Sequence, residues 1–319
     1  MRRALLVANP SASGFTGGRF REVLAILGEA YDVTPAWPNG PAESRQSAAE
    51  AAEDGTDLVI AMGGDGVVHH VANGLVGTPT ALGILPAGTI NVVARLLGIP
   101  QKTAQAARAL LDAEPHRLPV AHMASDSRTG ARSEYAVFSL GIGFDADVVG
   151  IVEQRPYTKY AMASLSFAKV ATSQIIGTYR SRQPNMVVEC DGERAYAVTV
   201  LVQVHDVYTF FGRMPLRLGP AGAGPTALAA ERLTVLGTLD LVRRAATGSS
   251  PAAHRGVKVW SGFEKLVIEA DPQSHFQADG ELLGPTTSLE VTPMPDALTV
   301  LHPVPTEERS LLGRLRRRP

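Results

Sequence analysis

Three short stretches place small polar side chains among glycines: Asn9-Pro10-Ser11-Ala12-Ser13-Gly14, Gly63-Gly64-Asp65-Gly66 and Pro86-Ala87-Gly88-Thr89. Such turns suit phosphate. Backbone N–H groups at a glycine-rich turn face an anion, and a helix starting there adds partial positive charge. Glycine removes the side chain that would block the approach and tolerates positive φ. Asp65 is the odd member, because a carboxylate repels phosphate unless a divalent cation bridges the two. The same four residues also read as a tight turn in which Asp65 caps the next helix. Gly-Gly-Asp-Gly alone leaves these readings even; Asn9, Ser11, Ser13 and Thr89 favour phosphate. No G-x-x-x-x-G-K-[ST] loop occurs, which excludes an ordinary P-loop, and no G-x-G-x-x-G opens the first helix, which disfavours a dinucleotide-binding Rossmann domain. Two acidic stretches lie further along the chain. Asp279-Gly280-Glu281 reads in isolation as a hairpin turn, and Asp145 with Asp147 as acids favoured at a helix start.

The first third has the grammar needed to hold the three loops together. Apolar runs at Ala4 to Ala8, Tyr31 to Trp37, Leu58 to Met62 and Leu82 to Leu85 read as strands. Arg19 to Leu27, Glu43 to Glu53, Val67 to Leu75 and Lys102 to Leu111 read as helices. Strands alternating with helices predict a parallel sheet covered on both faces, with ligands beyond the carboxyl ends of its strands. The three loops lie at such ends and should converge. After Pro119 the pattern changes to strand-like runs at Tyr135 to Leu140, Met186 to Cys190, Ala195 to Val204, Leu233 to Leu236, Lys265 to Glu269 and Leu298 to Leu301. These predict an antiparallel β-rich second domain. Helical patterning there is confined mainly to Tyr157 to Thr178, and Gly219 to Ala230 reads as a mobile surface loop.

The bulk properties are consistent with this. The 319 residues carry a net charge of −1, which gives no reason to expect nucleic acid as a partner. Cys190, the single cysteine, sits in a strand-like run and reads as a buried thiol. No run of eighteen apolar residues exists to span a membrane. The basic ending RSLLGRLRRRP reads first as a solvated end, and second as a weak attraction to anionic lipid.

The stretch GGDGVVHHVANGL followed by LPAGTINVVARLLGIP resembles the catalytic domain of the diacylglycerol kinase and sphingosine kinase superfamily, most nearly its bacterial soluble lipid kinases. NPSASG matches that family's N-terminal loop, SLGIGFDADVV its Gly-Phe-Asp segment and QADGELLG its Asp-Gly-Glu motif. The resemblance implies an α/β N-terminal domain like that of NAD kinase and phosphofructokinase, with a β-sandwich as the C-terminal domain. The nucleotide-binding domain would be residues 1–120, completed by 296–319, and the lipid-substrate domain 121–295, with the ATP site between them.

The same resemblance implies site residues. ATP would be held by Asn9, Pro10, Ser11, Ala12 and Ser13, by Gly63, Gly64, Asp65, Gly66, Val67 and His70, and by Gly88, Thr89 and Asn91. Asp65 would act through Mg²⁺, and Glu281 would be the general base for the lipid hydroxyl. Asp279 would support the cation or orient Glu281, and Asp147 would meet the lipid head group. The segment Tyr157 to Tyr179 is apolar enough to line an acyl pocket, although a packed helix is the stronger reading of any one residue. The implied partner is a lipid at a membrane surface, met by a cytoplasmic, peripheral protein on the inner face; a homodimer also follows from the resemblance. Departures stand beside these matches. Val67 replaces the usual threonine, Val92 a frequent acid and Ala36 a frequent threonine. Ala230-Glu231-Arg232-Leu233-Thr234 replaces a segment tied to a structural Mg²⁺. His69 and His70 diverge by roughly 100° on a helix, so one is expected near the site and the other packed or solvated. An NAD kinase-like enzyme and a degenerate nucleotide- or lipid-binding sensor are the competing readings.

Overall fold

The computed structural model describes residues 1–127, 130–153 and 163–303, with side chains described throughout except at 127 and 163–168. The chain divides into two compact units: Met1–Leu118 with the described residues from Asp296 onward, and Pro119–Pro295.

In the first unit the alternating runs become β1 (Arg2–Ala8), α1 (Gly17–Leu27), β2 (Tyr31–Ala36), α2 (Pro41–Glu53), β3 (Leu58–Gly63), α3 (Asp65–Leu75), β4 (Ala81–Pro86), α4 (Val92–Leu96) and α5 (Thr103–Leu111). Every residue of β3 and β4 is buried. That is why both read as unbroken apolar runs, as strands covered on two faces do. The strand order is β2-β1-β3-β4, all parallel. The late chain adds one more parallel neighbour, pairing Val300 with Leu82. In this order the connections from β1 and β3 leave in opposite directions, so the crevice at their carboxyl ends is the topological switch point where such sheets bind ligands. The loops Asn9–Gly14 and Gly63–Gly66 flank it. Helix α1 starts where the Thr16 side chain accepts from the Arg19 N–H and turns Phe20, Val23, Ile26 and Leu27 inward.

The second unit takes in β5 (Glu114–Ser127) for most of its length, β6 (Gly130–Ala136), β7 (Ser139–Gly143), α6 (Phe144–Glu153) and α7 (Ala163–Gln174), which runs into a π-helical turn at Ile175–Tyr179. There follow β8 (Met186–Cys190), β9 (Glu193–Ala197), β10 (Thr199–Gln203), β11 (Thr209–Phe211), β12 (Met214–Leu216), β13 (Thr226–Ala230), α8 (Val235–Thr247), β14 (Val257–Ser261), β15 (Leu266–Ala278) and most of β16 (Glu281–His302). Its pairings are antiparallel, in the order β14-β13-β10-β7-β15-β16. β15 changes partner along its length: Leu266–Ala270 pairs with β8, and Phe276–Ala278, beyond a bulge, with β7. The strand-rich second half is as expected. Cys190 is buried, and desolvation with the nearby acids Asp191 and Glu193 pushes its thiol up to about 12, so it packs as a small hydrophobe.

Several local expectations need correction. Gly219 to Ala230 is not one loop: Thr226–Ala230 is β13, buried at every residue between β10 and β14. Its small side chains suit close packing, which a compositional reading mistakes for low complexity. Leu233 to Leu236 is not a strand; the Thr234 hydroxyl accepts from the Gly237 N–H and starts α8. Tyr135 to Leu140 breaks between β6 and β7, and Ala195 to Val204 between β9 and β10. α3 begins two residues earlier than predicted, at Asp65. Of the helical segment Tyr157 to Thr178, residues 157–162 lie outside the described residues, as does the basic ending from 304.

Helices α2 and α3 pack so closely that a Cβ on Gly74 would lie 2.5 Å from the Arg45 carbonyl oxygen. Alanine is the better helix former by about 1 kcal/mol, yet here it meets backbone that cannot rotate away, at about 1–3 kcal/mol. Gly74→Ala is therefore expected to lower the urea midpoint; a raised midpoint contradicts this packing.

Candidate functional site

In the first unit the three predicted loops meet, and the meeting is made by backbone. The Gly14 N–H donates to the Ala87 carbonyl at 2.8 Å, and the Ala87 N–H to that of Gly63 at 2.8 Å. A Cβ on Gly88 would lie 2.5 Å from the Gly64 Cα, and one on Gly14 2.9 Å from the Ala87 oxygen. No other residue type allows these approaches without displacing main chain. Asn91 holds the third loop shut. It sits in the left-handed region at φ 54, its Oδ1 accepts from the Gly88 N–H, and its Nδ2 donates to the Gly88 carbonyl and to Gln101 Oε1. Asn9 shapes the first loop: its Oδ1 accepts from the Ser11 N–H at 2.9 Å and its carbonyl from the Ala12 N–H. Pro10, Ser11, Ser13 and Thr89 are exposed along the rim and Ala12 is half-buried.

Helix α3 opens at this junction with Gly64 as its N-cap and no side-chain cap, so it presents backbone N–H groups, the arrangement that receives phosphate. Asp65 is the first residue of that helix. Its Oδ1 accepts a long contact of 3.4 Å from the Val93 N–H in the first turn of α4. The Val67 methyls lie over Gly63, whose Cβ would come within 2.5 Å of Val67 Cγ2; hydrocarbon fills the place where a threonine would offer a hydroxyl. His69 is buried, His70 half-buried, and their rings meet edge to face at 4.9 Å, so the packed member of the pair is His69. Among the described residues no three His, Cys, Asp or Glu side chains gather as a metal cage. Asp65 is one carboxylate in the first turn of α3; Mg²⁺ commonly takes one or two protein carboxylates and completes its shell with phosphate oxygens and water.

The acidic residues of the second unit are arranged by long-range contacts. Asp279 and Gly280, at φ 53 and 85, form the two-residue turn joining β15 to β16, with Ala278 opposite Glu281. The hairpin reading of Asp-Gly is thus realised. The Asp279 carboxylate is nevertheless buried and has further work. Its Oδ2 accepts from the Val137 N–H at 2.7 Å, and its Oδ1 from those of Phe138 and Ser139 at 2.8 and 3.1 Å. It ties the turn to the break between β6 and β7 and leaves Glu281, half-buried, as the next residue. Gln277 anchors the same turn from the other side: its Oε1 accepts from the Gly280 N–H at 2.9 Å and its Nε2 donates to Asp145 Oδ2 at 2.7 Å.

Asp145 and Asp147 both lie in the first turn of α6. Asp145 also accepts from the Tyr208 hydroxyl at 2.8 Å. Burial pushes its carboxyl above the usual carboxylate range, and the Tyr208 and Gln277 donors pull it back. A raised value means that the folded chain holds this proton more tightly than the unfolded chain; the group favours folding as pH falls through its folded value and opposes it above. Asp147 accepts from the Tyr179 hydroxyl at 2.6 Å and from His275 Nδ1 at 2.8 Å, with Arg182 3.9 Å away. Burial, reinforced by Asp147, raises the Tyr179 hydroxyl, which stays a neutral donor. Sequence reasoning missed Gln277, Tyr208, Tyr179, Arg182 and His275. The only local signal was the spacing Gln277-Ala278-Asp279, which aims two polar side chains along one strand.

Residues 3–123 match the family described as the diacylglycerol kinase catalytic domain. That segment, a little over a third of the chain, is similar to the catalytic domain of diacylglycerol kinases. A diacylglycerol kinase of Bacillus subtilis is 38% identical over 112 residues, 32% of this chain and 35% of that protein. The chain spans 58% or less of the length of the first curated relatives it matches. A crystal structure of a diacylglycerol kinase from Bacillus anthracis superposes with a TM-score of 0.68 at 18% identity, covering 94% of this chain and 97% of that one. An NAD kinase from Archaeoglobus fulgidus in complex with ATP gives 0.51 at 12%, covering 98% of both. At these identities the two structures speak for the fold: an α/β first unit of this class, followed by a strand-rich region.

The Asp279 contacts generate a sharp expectation. Asn keeps the shape and tolerates the left-handed backbone, but its NH₂ must face an N–H donor. Asp279→Asn should therefore destabilise the protein by about 2–3 kcal/mol, read from urea denaturation. Stability equal to wild type contradicts this capping role.

Proposed function

We infer that this chain is a kinase of the family its first third resembles, and that it transfers the γ-phosphate of ATP, with Mg²⁺, to the hydroxyl of a lipid alcohol that is diacylglycerol-like or sphingoid. It would work as a cytoplasmic protein at a membrane surface. The observation that carries this reading is the backbone-to-backbone meeting of Gly64 and Gly88, with Gly14 against Ala87. It makes a side-chain-free cradle at the start of α3, at the switch point of a parallel sheet. In phosphoryl transfer the protein's task is chiefly positioning and charge stabilisation. The cradle serves the first through the N–H groups of Gly64, Asp65 and Gly66 and that of Thr89, since the Val67 and Gly88 N–H groups already donate to the Gly64 carbonyl and to Asn91. Asn9, Ser11 and Ser13 offer further short polar groups at the neighbouring strand end. Asp65, in the first turn of α3, would hold the cation, which when bound would spread the developing charge on the phosphates.

Glu281 is assigned as the base. It follows a turn pinned on one side by the three amides on Asp279 and on the other by Gln277, and a carboxylate held in place can accept the acceptor hydroxyl's proton as the new P–O bond forms. Asp279, with both oxygens already accepting from N–H donors, serves this role better as the residue that positions Glu281 than as a cation ligand. The hydrocarbon of Val67 over Gly63 favours slow turnover or, in the limit, a nucleotide-binding sensor. The NAD kinase reading shares the fold but not the Asp-Gly-Glu order.

The test is phosphoryl transfer from labelled ATP to a panel of lipid alcohols and to NAD⁺. Wild type is expected to label a lipid. Glu281→Gln should lose about 10²–10⁴-fold in kcat with ATP affinity retained; wild-type turnover in this variant removes Glu281 from the chemistry. Labelling of NAD⁺ alone, or nucleotide binding without any transfer, replaces the proposal with one of its competitors. Asp65→Asn should weaken the Mg²⁺ dependence of nucleotide binding, and an unchanged Mg²⁺ titration contradicts its role.

A further inference from the structure

Helix α8 is amphipathic, yet it buries only Ala245 fully and turns large aliphatics to solvent. Leu236 is 81% exposed, Leu239 61% and Val242 38%. At roughly 100° per residue, positions three apart step by about 60° around the axis, so these three side chains form one stripe. The stripe is not the helix's packing face: Leu233, just before the helix, joins a buried cluster with Tyr179, Tyr208 and Leu218, and Val235 packs against it. Alongside runs the β11–β12 hairpin. It is joined to the end of α8 by the bond from the Arg217 N–H to the Ala245 carbonyl. Its last register pair, Phe211 opposite Met214, flanks the Gly212-Arg213 turn, and both side chains are about two-fifths exposed.

The charge around these side chains is one-sided. From His205 to Arg255 the chain has six arginines against three acids, in a protein whose net charge is −1. Of the acids, Asp240 is already held by Arg243, Arg244 and His254 at 2.7, 2.7 and 3.1 Å, and Asp206 accepts from the Gly222 N–H. Arg213 and Arg232 are exposed at the hairpin tip and just before the helix.

We propose that α8 and the β11–β12 hairpin together form the face that docks on an anionic lipid bilayer. Leu236, Leu239, Val242, Phe211 and Met214 enter the headgroup–acyl boundary, and Arg213 and Arg232 meet lipid phosphates. A short helix with an aliphatic stripe and arginines at its margin is the form that lies in a membrane interface, and guanidinium groups match phosphate geometry. The charge favours a bilayer over a second copy of the chain. A two-fold contact through this face would bring like arginine-rich surfaces together, whereas anionic headgroups complement them. Docking does not depend on which alcohol is phosphorylated; its service to catalysis rests on the lipid-kinase reading.

The full-length protein should be sedimented with vesicles of phosphatidylcholine alone and with about a third phosphatidylglycerol. Wild type should partition onto the anionic vesicles, and rising salt should release it. The double variant Leu236→Ser/Leu239→Ser should lose about tenfold in partitioning without a change in thermal midpoint, because both side chains are exposed. Arg213→Glu/Arg232→Glu should abolish the preference for anionic vesicles. The basic C-terminal stretch is common to all these proteins, so the differences report the proposed face alone. Wild-type partitioning in both double variants overturns the proposal. So does a leucine variant that dissociates a dimer yet binds vesicles normally, since the occupant is then a second copy. A parallel assay on detergent-dispersed acceptor separates the two claims: the leucine variant should keep wild-type turnover there and lose it on vesicles. Absence of all kinase activity would fail the functional reading while leaving the vesicle result to stand.

Discussion

The candidate site depends on one steric constraint: two strand-end turns, after β3 and after β4, touch through glycine backbone. Gly64 and Gly88 are so close that a single methyl on Gly88 would fall 2.5 Å from its neighbour's Cα. That approach shapes the rest of the site. It lets α3 begin without a side-chain cap, draws the Ala87 N–H onto the Gly63 carbonyl, and brings the Asn9–Gly14 loop against Ala87. The result is a junction of glycine turns and an uncapped helix start at the β1/β3 switch point, with Asp65 in the first turn of the helix. Residues of any other type at these positions would separate the turns, and the cradle would lose its shape before it lost any functional group.

The second unit solves a different problem, that of holding acids still. A buried carboxylate is costly unless hydrogen bonds satisfy it. Asp279 takes three backbone amides, Asp145 takes Tyr208 and Gln277, and Asp147 takes Tyr179 and His275. Gln277 links two of these systems, because one end of its amide holds Asp145 and the other the Asp-Gly turn. Glu281 inherits its position from that linkage. The acidic motif therefore acts as a connected assembly, in which conserving the charge of one member is not enough to preserve the geometry of the next.

Much of the first unit is legible in the sequence because its signals are local. An apolar run ending in glycines marks a buried strand and its loop, and β1, β3, β4 and the cradle follow from such runs. Asn91 is less transparent, since its left-handed backbone and its bonds to Gly88 appear only once the loop is folded. In the second unit the decisive contacts span more than a hundred residues, as from Asp279 to Val137, and no local pattern announces them. Two errors there have physical causes. Thr226–Ala230 looks like a flexible small-residue tract but is a central strand whose short side chains permit close packing. Leu233–Leu236 looks like a strand but is the approach to a helix that Thr234 caps.

The central claim is that the Gly64–Gly88 junction receives the phosphates of a nucleotide. Its most direct test is a crystal structure of the protein with Mg²⁺ and a non-hydrolysable ATP analogue. The account predicts the β- and γ-phosphates within hydrogen-bond distance of the backbone N–H groups of Gly64 to Gly66 and of Thr89, with Asp65 facing them across the cation. A triphosphate bound elsewhere, with both glycine turns facing only water, would contradict it.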